Sequence, residues 1–123
     1  GADVLLLGVT FKRDVDDARN SPAQRIAELL AEAGARVAYN DPYVPVFRVG
    51  NNAFRREPLV LASEPLTAER VRQSDCVVIV AAHSCYDYAW LVRQARLVVD
   101  TVNATRGLSG GHVVRLGAPG RGT

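Results

Sequence analysis

The chain has 123 residues, enough for one domain with its own core; 48% of them are hydrophobic and 23% charged, the balance of an ordinary globular protein. The formal charge of +2 is spread over 15 Lys and Arg and 13 Asp and Glu with no basic run, which argues against a nucleic-acid surface, and no apolar stretch approaches the roughly 20 residues that span a bilayer. Two Cys make no disulfide framework, so reduced thiols in a cytoplasmic setting are expected, and two separated His with two Cys make no metal site.

The apolar run at residues 4–7, ended by Gly8, has the pattern of a strand buried on both faces of a parallel sheet. Its abrupt start after Gly1 and Ala2, with no positively charged leader, reads as the start of a fragment of a longer protein. Ser21 followed by Pro22 predicts a capped helix, with Ile26, Leu29, Leu30 and Ala33 as its buried stripe and Gly34 as its stop. Residues 36–40 read as a second strand, stopped by Asp41 and Pro42. Residues 43–58 read as loop, with Pro45, Gly50, Asn51, Asn52 and Pro58.

A short strand is predicted at 59–61, and a short helix capped by Thr67 running through about Gln73. Residues 75–81 form the strongest strand pattern. Ser84 with Asp87 three residues on resembles a capping box, opening a helix with Trp90, Leu91 and Ala95 on its apolar side. Residues 97–99 give another buried strand ended by Asp100 and Thr101, and 112–116 a late strand. Residues 117–123 form a Gly- and Pro-rich tail that is expected to be flexible. Strands alternating with helices predict a single α/β domain over 1–123, a three-layer α/β/α Rossmann-like fold around a mainly parallel sheet of about five strands.

The connection from Gly8 to the first helix packs Lys12, Arg13, Asp14, Asp16, Asp17 and Arg19 into one strand-to-helix link, and Lys12 is the only Lys in the chain. Open α/β sheets place their ligands outside the carboxyl ends of the strands, where this link lies. A side-chain phosphate site fits it: Lys12 as a point charge and Arg13 and Arg19 as bidentate donors, with the Asp residues orienting them. A surface loop of mutually compensating charges fits it equally. A Rossmann dinucleotide turn does not, because Gly8 is the only glycine of the fingerprint and Phe11 and Lys12 fill the turn.

Asp41, at the place of a ribose-binding acid, reads rather as a turn opener. A phospho-acceptor receiver domain is disfavoured, since Asp16 and Asp17 lie too far beyond Gly8. His83 reads as a hydrogen-bonded loop residue, His112 has no evident partner, and Cys76 reads as core. Cys85, although near His83, lacks the base and orienting group that nucleophilic catalysis needs. No catalytic residue is assigned.

The motif from Gly8 to Ala23, the helix ending at Gly34 and Ala35, the corner Tyr39-Asn-Asp-Pro42 and the strand end Val98-Val-Asp-Thr101 resemble the C-terminal domain of the nucleotide-sugar 6-dehydrogenases. That family comprises UDP-glucose, UDP-N-acetylmannosamine and GDP-mannose dehydrogenases; the resemblance covers almost the whole chain and is nearest the UDP-N-acetylmannosamine and UDP-glucose enzymes. It implies a UDP-sugar-binding domain of a cytoplasmic, oligomeric enzyme that oxidises a sugar C6 alcohol to a carboxylate with NAD, in polysaccharide biosynthesis. It also implies that NAD binds mainly to an N-terminal domain and that the catalytic Cys lies before this one. By position, Phe11 and Lys12 match substrate contacts, and Arg19 matches an Arg that reaches NAD. One departure stands out. The family often carries an Arg two residues after the Asp that ends this strand, where this chain has Val102; Arg106 is the candidate to replace it as a substrate-binding residue. The alternative function is a non-catalytic nucleotide-binding or interaction module of the same fold.

Overall fold

The computed structural model describes residues 1–10, 21–50, 59–108 and 110–116. Five strands build one sheet in the order β2-β1-β5-β6-β7: β1 (Asp3–Leu7), β2 (Arg36–Asn40), β5 (Cys76–Ile79), β6 (Val98–Asp100) and β7 (Val113–Arg115). Every neighbouring pair in it is parallel. The fold is therefore the α/β architecture that the alternation predicts, with β1 flanked by β2 and β5. β1 is apolar on both faces because both are covered, and its side chains divide by parity. Val4 and Leu6 join the core on one face with Ala23, Ala27 and Tyr39, whereas Leu5 and Leu7 join the core on the other with Val71, Leu91 and Val98.

Helix α1 (Pro22–Glu32) covers the first face. Ser21 caps it, its hydroxyl accepting from the Ala23 N–H at 3.1 Å, and Pro22 takes the first turn, where no N–H is needed. Gly34, at φ +89°, follows the C-cap Ala33 in the left-handed conformation that a helix stop favours. The buried face differs from the predicted stripe. Ala23 and Ala27 are fully buried, Ile26 and Leu30 are half-buried, and Leu29 and Ala33 are exposed. Small residues let the helix lie close to the sheet, so the face centres on the alanines and Leu29 turns outward.

Helices α2 (Ala68–Gln73) and α3 (Tyr88–Gln94) cover the second face through Val71 and Leu91. Thr67 caps α2 as predicted, accepting from the Arg70 N–H. Ser84 does not cap α3; Asp87 does, accepting from the Trp90 N–H at 3.0 Å, because the helix starts at Tyr88, three residues beyond the reach of a Ser84 cap.

The predicted loop after β2 contains a further strand. β3 (Val46–Val49) pairs antiparallel with β4 (Leu59–Ala62), and this two-stranded unit is separate from the main sheet. Within β3 the side chains alternate, Phe47 and Val49 buried and Val46 and Arg48 exposed, so the strand roofs the core beside α1 with one face only. Residues 51–58 and the tail 117–123 lie outside the described residues.

Candidate functional site

The strands of the main sheet all end on one side, and their exits carry the polar residues the core excludes. Gly8 makes the first exit possible. Its φ is +76°, and a Cβ there would sit 2.7 Å from the Cβ and the carbonyl oxygen of Ala81, so only glycine lets the end of β1 turn against the end of β5.

Above that close approach lies a buried carboxylate. Asp41, just after β2, is fully buried and accepts three hydrogen bonds. Its Oδ2 takes the Val9 N–H at 2.8 Å and lies 2.9 Å from His83 Nε2, while Oδ1 takes the Tyr43 N–H at 2.9 Å. The Tyr43 bond is the turn-opening role expected of an Asp before Pro. The other two reach across 32 and 42 residues to the exits of β1 and β5. The backbone N–H of Asp41 donates in turn to Ser63 Oγ at 2.9 Å.

His83 is also fully buried, with the Tyr43 ring edge-on at 4.9 Å between centroids. Its carbonyl accepts the Tyr88 hydroxyl at 2.9 Å. Beside it the Tyr86 hydroxyl is 2.8–2.9 Å from the carbonyl and side-chain oxygens of Asn40. Burial, reinforced by the Asp41 charge, pushes the Tyr39 hydroxyl up to about 12 and the Tyr86 hydroxyl up as well. Both therefore stay protonated donors at neutral pH, Tyr39 to the Val44 carbonyl at 2.7 Å.

A cavity of about 340 Å³ opens next to this cluster. Ala82, His83 and Ser84 line it from the β5 exit, Tyr88 from α3, and Val102, Asn103, Ala104 and Arg106 from the β6 exit. The β6 wall is shaped by Asp100. Its carboxylate accepts from the backbone N–H groups of Val102, Ala104 and Thr105 and from the Thr105 hydroxyl, at 2.6–3.0 Å. Burial alone would raise this carboxyl, but those donors outweigh burial and hold it below its ordinary 3.8. Asn103 adopts φ +61°, a conformation Asn tolerates better than most residues. From β7, the Arg115 guanidinium donates to the carbonyls of Thr105 and Leu108 and straps the loop from behind.

Of the site residues read from the sequence, Arg106 lines this cavity on the same wall as Val102, and its side chain is exposed. Phe11, Lys12 and Arg19 lie outside the described residues, as do Arg13, Asp14, Asp16 and Asp17. His83 is the hydrogen-bonded loop residue expected, but its partner Asp41 was not evident from sequence. His112 also has a partner, the Val92 carbonyl 2.7 Å from its Nε2. Cys76 is half-buried at the opposite end of β5, its thiol pushed up by burial and then by Asp75; Cys85 is exposed, and neither lines the cavity. Among the described residues no group of three or more His, Cys, Asp and Glu is placed to hold a metal ion.

The described residues do not fit NAD in the Rossmann manner. The first turn has the single Gly8, and the one acid in the ribose position is fully buried and already holds Val9, Tyr43 and His83. No helix among the described residues is long and apolar enough to cross a membrane.

Comparison with known proteins agrees with this architecture. Residues 5–107 match the model of the UDP-glucose/GDP-mannose dehydrogenase family, UDP binding domain. A UDP-N-acetyl-D-mannosamine dehydrogenase of Methanococcus vannielii is 30% identical over 108 residues, covering 81% of this chain and 22% of that protein. A UDP-glucose 6-dehydrogenase of Rhizobium meliloti is 48% identical over 42 residues, 34% of this chain and 10% of that protein. Among solved structures, an NDP-N-acetyl-D-galactosaminuronic acid dehydrogenase of Methanosarcina mazei superposes with a TM-score of 0.64 at 27% identity, over 94% of this chain and 24% of that one. The UDP-D-ManNAc dehydrogenase of Pyrococcus horikoshii, at 21% identity and a TM-score of 0.67, shares the fold. The chain thus spans between 10% and 22% of the length of the two curated relatives described. On the strength of the match over residues 5–107, the chain belongs to the UDP-glucose/GDP-mannose dehydrogenase family and is its UDP binding domain.

Proposed function

We propose that this chain is the C-terminal, nucleotide-sugar-binding domain of a longer cytoplasmic dehydrogenase that oxidises the C6 alcohol of a UDP-sugar to a carboxylate with NAD. The observation that carries the reading is the cavity at the carboxyl ends of β5 and β6, with the Arg106 guanidinium on its wall. A guanidinium grips phosphate oxygens bidentately, and the strand ends of an open α/β sheet are where such a ligand sits. Arg106 takes the place of the family Arg that Val102 lacks. Lys12 and Phe11 supply further substrate contacts, and Arg19 reaches NAD held by another domain. The poor fit of NAD to the described residues supports that division of labour. The domain's task is to hold the nucleotide and complete a cleft that excludes water from the reacting carbon. Alone it does not catalyse, and the full-length enzyme works as a homo-oligomer.

Calorimetric titration of the full-length protein with UDP tests the site. Saturable binding is expected, weakened roughly tenfold by Arg106→Ala, the size of one charge-assisted hydrogen bond. NADH production over a panel of UDP- and GDP-sugars tests the activity, with Lys12→Ala raising KM or abolishing turnover. Val102 favours one other reading, a domain that kept the fold as an interaction module and lost the nucleotide. Absence of both UDP binding and turnover in a full-length protein that still binds NAD would make it the better reading.

A further inference from the structure

We propose that the buried Asp41–His83 pair is a positioning device for the nucleotide cavity, setting the wall that faces Arg106. The inference rests on the nucleotide-binding reading and adds two residues to it.

The pair sits where three strand exits meet. β2 and β5 flank β1 on opposite sides, so a bond from Asp41 to His83 has to pass over the end of β1. There it also takes the N–H of Val9, two residues past the end of β1. One carboxylate thereby fixes the exits of β1, β2 and β5 relative to each other. Its effect reaches the cavity through His83, which lines it, and through the His83 carbonyl, which holds the hydroxyl of a second lining residue, Tyr88, at 2.9 Å.

The cost of this arrangement argues that it is not only a fold fastener. A carboxylate and an imidazole, both fully buried, are a poor choice for stability alone, because an apolar pair of similar volume stabilises as well or better. What a polar pair adds is one geometry. Two directional bonds to Oδ2 and one to Oδ1 leave the imidazole a single placement, whereas apolar packing would leave the β5 exit several. Both residues act through the wall they hold, and neither is assigned any contact with the reacting atoms.

The test is UDP and NAD affinity of the protein at its full natural length, measured below the melting temperature of every variant. His83→Leu removes the bond and keeps the volume; it is expected to weaken UDP about tenfold and leave NAD unchanged. His83→Gln places an N–H donor near the former Nε2 and is expected to recover UDP affinity to within about threefold of the unmutated protein. Val71→Ala, on the buried face of α2, lowers the melting temperature without changing UDP affinity, which separates positioning from general loss of stability. Unchanged UDP affinity in a folded His83→Leu variant overturns the inference, and so does a loss that His83→Gln does not repair. Should His83→Leu not fold, Tyr88→Phe decides, with about threefold weaker UDP expected and unchanged UDP overturning it. If the unmutated protein binds no UDP, the nucleotide reading fails first and the inference goes with it; if only Arg106→Ala weakens UDP, the reading stands and the inference alone fails.

Discussion

Two strands of the sheet run out at a buried aspartate, and the two use it in opposite ways. Asp41, after β2, bonds groups 32 and 42 residues away and only one in its own turn. Asp100, at the end of β6, bonds four donors that all lie within five residues of it. The first joins exits that the chain leaves far apart; the second folds one loop upon itself. Both are equally buried, so burial does not tell them apart. The difference lies in the length of chain each bond closes. Asp41 is a device of the tertiary fold, whereas Asp100 is a template that a short peptide segment carries with it, strapped afterwards by Arg115 from β7.

Removing each carboxylate breaks the comparison most directly. Asp41→Ala leaves a buried imidazole and a buried Val9 N–H without their acceptor, and is expected to lower the unfolding free energy by about 3–5 kcal/mol in a denaturant titration. Combined with a His83 substitution it should lose less than the sum of the two single changes, since the bond can be lost only once. Asp100→Ala is expected to lose about 2–3 kcal/mol, because the Val102 and Ala104 N–H groups are near enough to the surface to relax toward water, while Thr105 stays buried without its acceptor. Its larger effect falls on the ligand: the wall carrying Val102 and Arg106 loses its template, so UDP affinity falls more than in Asp41→Ala. Equal losses of stability in the two alanine variants would mean that loop length is not what separates them.

The β6 wall is sharpened by restoring what it lacks. Val102 is 41% exposed on the cavity lining, so Val102→Arg adds a guanidinium to an open position without disturbing the core. UDP is expected to bind roughly tenfold tighter, read by calorimetry, with stability changed by less than about 0.5 kcal/mol. No gain would mean that Arg106 already occupies the place that an Arg at 102 would take.

The same contrast explains what the sequence makes legible. Short apolar runs ended by Gly8, Asp41 and Asp100 mark the strands of the parallel sheet, and Ser21-Pro22 and Thr67 mark helix starts, because these signals are local. β3 is not legible. It is four residues among Pro, Gly and Asn, and it exists because β4, ten or more residues on, supplies its hydrogen bonds. Leu29 misleads because helical spacing gives a stripe but not its centre, which the close approach of Ala23 and Ala27 decides. Arg106 is readable as a candidate from the departure at Val102. The Asp41–His83 bond carries no local signal, since either residue alone is an ordinary turn acid or loop imidazole.

The smallest expected effect concerns pH and belongs to Asp100. Its carboxyl is held below 3.8 in the folded protein, so the folded state favours the charged form more strongly than the unfolded chain does. That contribution is fully present above 3.8 and is lost as the pH falls through the lower folded value. Asp100→Asn keeps the shape, has no charge to lose and turns one acceptor oxygen into a donor group facing backbone N–H groups. It should therefore be less stable than the unmutated protein at neutral pH, with the gap narrowing as the pH falls below 3.8. Denaturant midpoints of the two proteins across the acid range measure this. A gap that stays constant to the acid limit would mean that the loop is held by the shape of residue 100 and not by its charge, removing the electrostatic part of the template while leaving its backbone geometry in place.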